Sequence, residues 1–216
     1  MARADADGLR RLFDVSGEWA LLNHAGYGRV TRPVLDAQAR YRQWVDSAPL
    51  RFFVAVRRER NREVREALAQ RVGADAGDLA LVPNATFGLN VLALSAASHG
   101  RATAGTSLDY EGVLAMWQQL GASGHRHRSV EVDPESPTPL ADVAAGLGEP
   151  PGLLVVPHVV SSTSTFVDLS GRRPAADVVA VDGAHVPGHL PLDLSTLGVD
   201  AYVGDLHKWM CAPRGT

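Results

Sequence analysis

Lys208 lies just past the apolar run Asp200–Val203, between His207 and Trp209, and Asp182 directly follows Val178–Val181. A lysine becomes a nucleophile when burial or nearby cations lower its pKa. A carboxylate at the end of a buried strand costs free energy unless a cation partners it. Asn84, Ala85 and Thr86 open a helical stretch after Leu79–Val82, where free N–H groups can hold an anion. Tyr110, after Thr103–Ser107, offers a flat aromatic face. His158 and Ser161 follow Leu153–Pro157, and His185 follows Asp182.

Singly, each has a plainer reading. Asn84 and Thr86 suit a helix cap, Tyr110 suits a half-buried core position, His185 and His189 suit loops, and lysines are mostly exposed. Together, in the chain order cradle, stacker, carboxylate, lysine, they are what pyridoxal 5'-phosphate requires. The lysine forms the Schiff base, the carboxylate keeps the pyridine nitrogen protonated, the aromatic stacks, and the helix N-terminus holds phosphate.

These groups need a frame that brings strand ends to one edge. Short apolar runs at Leu79–Val82, Thr103–Ser107, Ser129–Val132, Leu153–Pro157, Val178–Val181 and Asp200–Val203 alternate with helical stretches at Ala85–Ala97, Gly112–Leu120 and Leu140–Leu147. The alternation predicts an α/β fold, a mostly parallel sheet with helices on both faces, whose ligand lies at the carboxyl ends of the strands. Thr103–Ser107 reads as a weak strand and Ser129–Val132 as an edge strand. Between Pro157 and Val178 there is no room for an ordinary crossover helix, so it is expected to be vestigial or absent. Upstream, helices are expected at Asp7–Val15, Val34–Val45 and Phe53–Val72, and a short strand at Ala20–Leu22. Residues 1–50 read as an N-terminal arm with helices, and 51–216 as the ligand-binding domain.

The 216 residues carry 21 Lys+Arg against 24 Asp+Glu, a net charge of -3, with 45% hydrophobic residues. This balance describes a globular chain and argues against disorder, a basic nucleic-acid surface or a coiled coil. No apolar run approaches membrane-spanning length. The N-terminus shows no apolar leader, and a single cysteine excludes an intramolecular disulfide framework, so a cytoplasmic setting is expected. A metal site built from His125, His127, His158 and His185 is disfavoured because they lack the i, i+4 spacing of zinc-binding helices; no metal is expected.

Val181-Asp182-Gly183-Ala184-His185-Val186-Pro187-Gly188, followed by Gly204-Asp205-Leu206-His207-Lys208-Trp209, resembles the aminotransferase class V family of fold-type I pyridoxal phosphate enzymes, in its isopenicillin N epimerase-like branch. Leu22–Gly28, Asn84-Ala85-Thr86 and His158–Ser161 match in order, so the resemblance runs from about residue 20 to 216. It implies that Lys208 carries the cofactor as an aldimine and shuttles the α-proton, and that Asp182 pairs with the pyridinium. It places His185 and Ser161 at the phenolic oxygen, Tyr110 on the ring, Ala85, Thr86 and His207 at the phosphate, and Asn23 and His24 at the substrate mouth. The implied partners are an amino-acid substrate and a second copy in a homodimer, and the implied reactions are epimerase, lyase or transaminase chemistry. A desulfurase is disfavoured because Cys211, the only thiol, stands beside Lys208 rather than on a separate loop.

Three departures from the family pattern stand out, the missing crossover helix before Val178 among them. The family has a second, C-terminal domain, and an arginine that clamps the substrate carboxylate; both are expected to be missing from a chain ending at Thr216. The alternative function is therefore an inactive relative serving as a binding or dimerisation module. Asp205 is the third departure, because a carboxylate beside a phosphate dianion is repulsive unless turned away or protonated.

Overall fold

A computed structural model describes residues 6–13, 18, 20–136, 139–171 and 173–215. Five parallel strands form its sheet: β1 (Thr103–Thr106), β2 (His127–Val130), β3 (Leu153–Pro157), β4 (Val178–Asp182) and β5 (Ala201–Val203), in the order β2-β1-β3-β4-β5. The helices are α1 (Ala6–Arg11), α2 (His24–Tyr27), α3 (Arg32–Ser47), α4 (Pro49–Arg51), α5 (Arg57–Val72), α6 (Ala85–Ser98), α7 (Glu111–Ala122) and α8 (Pro139–Gly146). A π-helical segment, Phe52–Val56, links α4 to α5.

β3 is buried along its whole length and sends alternate residues to opposite faces, as the strand period requires. On one face Leu153 and Val155 join Leu89 and Ala93 of α6 and Val113, Met116 and Trp117 of α7. On the other, Leu154 and Val156 pack with Leu140 and Val143 of α8 and with Val160, Val167 and Leu169 from the loop after β3. That loop does what a crossover helix would otherwise do. Among its described residues it has no helix, and its backbone doubles back through an antiparallel bridge between Val159 and Phe166, in line with the expectation of a vestigial or absent crossover helix.

Register decides what meets at the ligand edge. Pro157 stands beside Asp182, and Asp182 beside Val203, so β3, β4 and β5 end level with one another.

Several boundaries and two whole strands depart from expectation. Leu79–Val82 joins no strand. Pro83 has no N–H to donate, and the segment passes at once into α6, which leans on β5 where Gly88 meets Val203. It approaches the face of the sheet rather than its edge. Ala20–Leu22 is likewise unpaired, and Leu22 is 93% exposed. Thr103–Thr106, which reads as weak, lies inside the sheet, fully buried between β2 and β3, because its small side chains fit beneath α7. The edge strand expected at Ser129–Val132 begins two residues earlier, at His127. The helix expected at Asp7–Val15 ends at Arg11, and its last two positions lie outside the described residues. Among the described residues no helix is long and apolar enough to cross a membrane.

Candidate active site

Tyr110 caps the start of α7 and is held there by the residue before it. The Asp109 carboxylate, almost fully buried, accepts hydrogen bonds from the Thr106 hydroxyl at 2.7 Å and the Trp117 indole N–H at 2.9 Å. Burial pushes Asp109 up to about 6 despite both bonds. Trp117 in turn stacks on His127, ring centroids 4.4 Å apart, so the anchor of Tyr110 reaches the edge strand.

Lys208 stands in a tight loop after β5. The Leu206 carbonyl accepts from the Ala212 N–H at 3.1 Å and the Lys208 carbonyl from the Cys211 N–H at 3.2 Å, which forces Cys211 into the left-handed region at φ 56°. His24 Nε2 donates to the same Lys208 carbonyl at 3.1 Å, tying the N-terminal α2 to the lysine loop.

A cavity of about 170 Å³ opens at the level strand ends. Asn84, Ala85, Thr86, Tyr110, Ser161, Asp182, His185, His207 and Lys208 all line it. Asn23 and His24 do not: the Asn23 side chain caps α2 by accepting from the Gly26 N–H at 2.8 Å, and His24 braces the lysine loop. Their neighbours Gly26 and Tyr27 face the cavity instead. Asn84 spends its side-chain oxygen on the Phe87 N–H at 2.8 Å, so its part in the site is to hold α6 in place.

Asp182 accepts from the Ala184 N–H at 3.0 Å, and burial pushes its pKa up against that bond and against the attraction of Lys208. Beneath it the His158 ring and the Tyr202 hydroxyl share a hydrogen bond of 2.9 Å. Tyr202 lies so close to Gly183 that a β-carbon on Gly183 would come within 2.0 Å of the ring, so only glycine lets the chain turn here between Asp182 and Ala184. His185 is held down to about 4 by burial and then by Lys208, which leaves a neutral imidazole at the cavity wall. Tyr202 carries no pattern in the sequence that marks it, and Asp109 carries only its place beside Tyr110 after an apolar strand.

The Asp205 carboxylate, 5% exposed, accepts from the Ala85 N–H at 2.8 Å through Oδ1 and lies 3.2 Å from Lys208 Nζ through Oδ2. His207 Nδ1 is buried without a hydrogen-bond partner among the described residues, 3.8 Å from Asp205. The residues fit pyridoxal phosphate. An amine and a buried carboxylate short of a cation share one cavity, an aromatic stands at its rim, and an orphaned imidazole nitrogen sits beside the N-terminal turn of a 14-residue helix. A second, largely apolar cavity of about 440 Å³ adjoins the first, sharing Val159, Ser161 and His185 and reaching Phe166, Leu190 and Trp209. His125 and His127 meet at the Thr103 hydroxyl, apart from His158 and His185. Among the described residues no cluster of three or more His, Cys, Asp or Glu could hold a metal ion.

A family profile described as Aminotransferase class-V matches residues 22–216. The isopenicillin N epimerase of Streptomyces clavuligerus is 30% identical over 204 residues, 90% of this chain and 51% of that protein. Its counterpart from Amycolatopsis lactamdurans is 31% identical over 210 residues, 90% of this chain and 52% of that protein. This chain thus spans about half the length of the curated relatives it matches. The cystine C-S lyase C-DES superposes with a TM-score of 0.75 at 24% identity, over 89% of this chain and 54% of that one. A cysteine desulfurase from Thermococcus onnurineus gives 0.77 at 18%, over 97% and 55%. Those two likenesses establish the large-domain fold.

Proposed function

This chain belongs to the aminotransferase class-V family, whose cofactor is pyridoxal 5'-phosphate, and from that premise we propose that it acts on an amino acid or amino-acid-derived substrate. Lys208 bears the cofactor and moves the proton at the substrate α-carbon. When bound, the cofactor supplies an aldehyde and a protonated ring that accepts the electron pair released there. The observation that carries this reading is the convergence of Lys208 and Asp182 on one cavity with Tyr110 at its rim.

Asp182, with its charge short of a partner, holds a proton on the ring nitrogen; the same desolvation that raises its pKa strengthens that pairing. Tyr110 stacks on the ring, the backbone N–H of Ala85, the Thr86 hydroxyl and His207 hold phosphate, and neutral His185 with Ser161 bonds the phenolic oxygen. His24 and Asn23 shape the substrate mouth by fixing the lysine loop and α2. The apolar cavity beside His185 leaves room for a substrate side chain. Epimerisation is favoured among the possible reactions by the two relatives at 30% identity or more.

A homodimer in the cytoplasm completes the proposal. No residue of α3 is buried, and Leu50, Phe53 and Val54 stand exposed beside it, an apolar surface that a second copy would cover.

The test is to load the protein with pyridoxal phosphate, trap it with borohydride and map the fixed lysine, then follow α-proton exchange of amino acids in heavy water. Fixation at Lys208 with exchange supports the reading, and loss of a β-substituent or appearance of a keto acid separates lyase and transaminase from epimerase. Cofactor bound without exchange of any amino acid supports the binding-module alternative instead. Colour and exchange that survive Lys208→Ala overturn the proposal.

A further inference from the structure

Asp205 is a buried carboxylate held by two groups that the cofactor needs. Its Oδ1 takes the Ala85 N–H at 2.8 Å, the first donor of α6, and its Oδ2 lies 3.2 Å from Lys208 Nζ. The neighbouring His207 has its Nδ1 3.8 Å away and, among the described residues, without a hydrogen-bond partner. So the N-terminus of α6, where backbone N–H groups and the helix dipole favour negative charge, already holds an anion supplied by the chain itself.

We propose that Asp205 selects the cofactor by the charge on its 5'-group, acting as a resident anion that a phosphate must displace or share donors with. This rests on the cofactor reading above. A carboxylate and a phosphate on the same helix end repel strongly in a water-poor site. Asparagine in the same place keeps the size and a carbonyl oxygen for the Ala85 N–H while removing the charge. Asp205 therefore weakens binding of the phosphorylated cofactor specifically. Its ion pair with Lys208, by contrast, opposes any aldehyde equally, phosphorylated or not, because that ammonium must lose its proton before it can attack a carbonyl.

This difference sets the experiment. Pyridoxal phosphate and unphosphorylated pyridoxal are titrated by visible absorbance into the full chain and into Asp205→Asn, with Asp205→Ser as the second variant should the first fail to fold. The expected result is a Kd for pyridoxal phosphate that falls about tenfold or more in the variant, with the Kd for pyridoxal moving less than about threefold. Inorganic phosphate alone should then raise the thermal midpoint of the variant more than that of the parent. Equal tightening of both aldehydes places the effect on Lys208 and overturns the proposal, as does unchanged or weaker pyridoxal phosphate binding. No visible band with either aldehyde in any form of the protein would bring down the cofactor reading, and this inference with it.

Discussion

Gly28 lies so close to the lysine loop that a β-carbon on it would come 1.8 Å from the His207 carbonyl oxygen and 2.9 Å from the Lys208 α-carbon. Its φ of 64° is also one that L side chains rarely adopt. Two constraints on one residue make the N-terminal segment a direct determinant of where the amine points. Gly28→Ala is expected to push the loop outward and weaken pyridoxal phosphate binding about tenfold or more, with the far-ultraviolet dichroism unchanged. Unaltered affinity would show that the loop holds its place without this contact.

Asp182→Asn removes a charge without changing shape. Proton exchange at the α-carbon should fall about 100-fold, the usual scale for deleting one preorganised electrostatic group, while the cofactor stays bound. Retained exchange at the parental rate would remove Asp182 from the ring nitrogen.

Asp109→Ala leaves the Trp117 indole N–H and the Thr106 hydroxyl without their acceptor in a buried setting. A loss of about 2 kcal/mol in unfolding free energy is expected, read from denaturant midpoints at constant m. Because Asp109 sets the start of α7 behind Tyr110, cofactor affinity should fall as well.

Stability should depend on pH with two opposed contributions. His127, pressed between Trp117 and Thr103, is held down to about 4 by burial, below its unfolded value. The stability of its neutral form is fully present above about 6.5 and is lost as pH falls toward 4. Asp109, raised to about 6, contributes fully below its unfolded value near 4 and loses that contribution as pH rises through 6. Thermal midpoints across pH 4 to 7 should show His127→Phe losing less stability on acidification than the parent. An identical acid slope in the two proteins would show that His127 does not carry that loss.

The Tyr202 hydroxyl is the partner of His158 Nδ1 beneath Gly183. Tyr202→Phe is expected to cost about 1–3 kcal/mol, and to loosen Asp182 above it. A thermal midpoint equal to the parent's would show that the bond adds nothing.

Strand order along the chain, the apolar run before each polar strand end, and the succession Thr86, Tyr110, Asp182, Lys208 were readable because they depend on residue type and local spacing alone. Distances between elements were beyond that reach. Leu79–Val82 has the apolar character of a strand, yet whether it pairs depends on where α6 leans, which Gly88 and Val203 decide together. The family resemblance puts Asn23 and His24 at the substrate mouth, but the Asn23 side-chain oxygen is taken up in capping α2 and His24 braces the Lys208 carbonyl. Asp205 read only as a misfit beside phosphate; its hold on Ala85 and Lys208 exists because β5 and α6, more than a hundred residues apart in sequence, end side by side. Sequence carries chemistry and periodicity, both local properties. The packing of one strand end against a distant helix is a cooperative outcome of the whole sheet, and only the folded chain contains it.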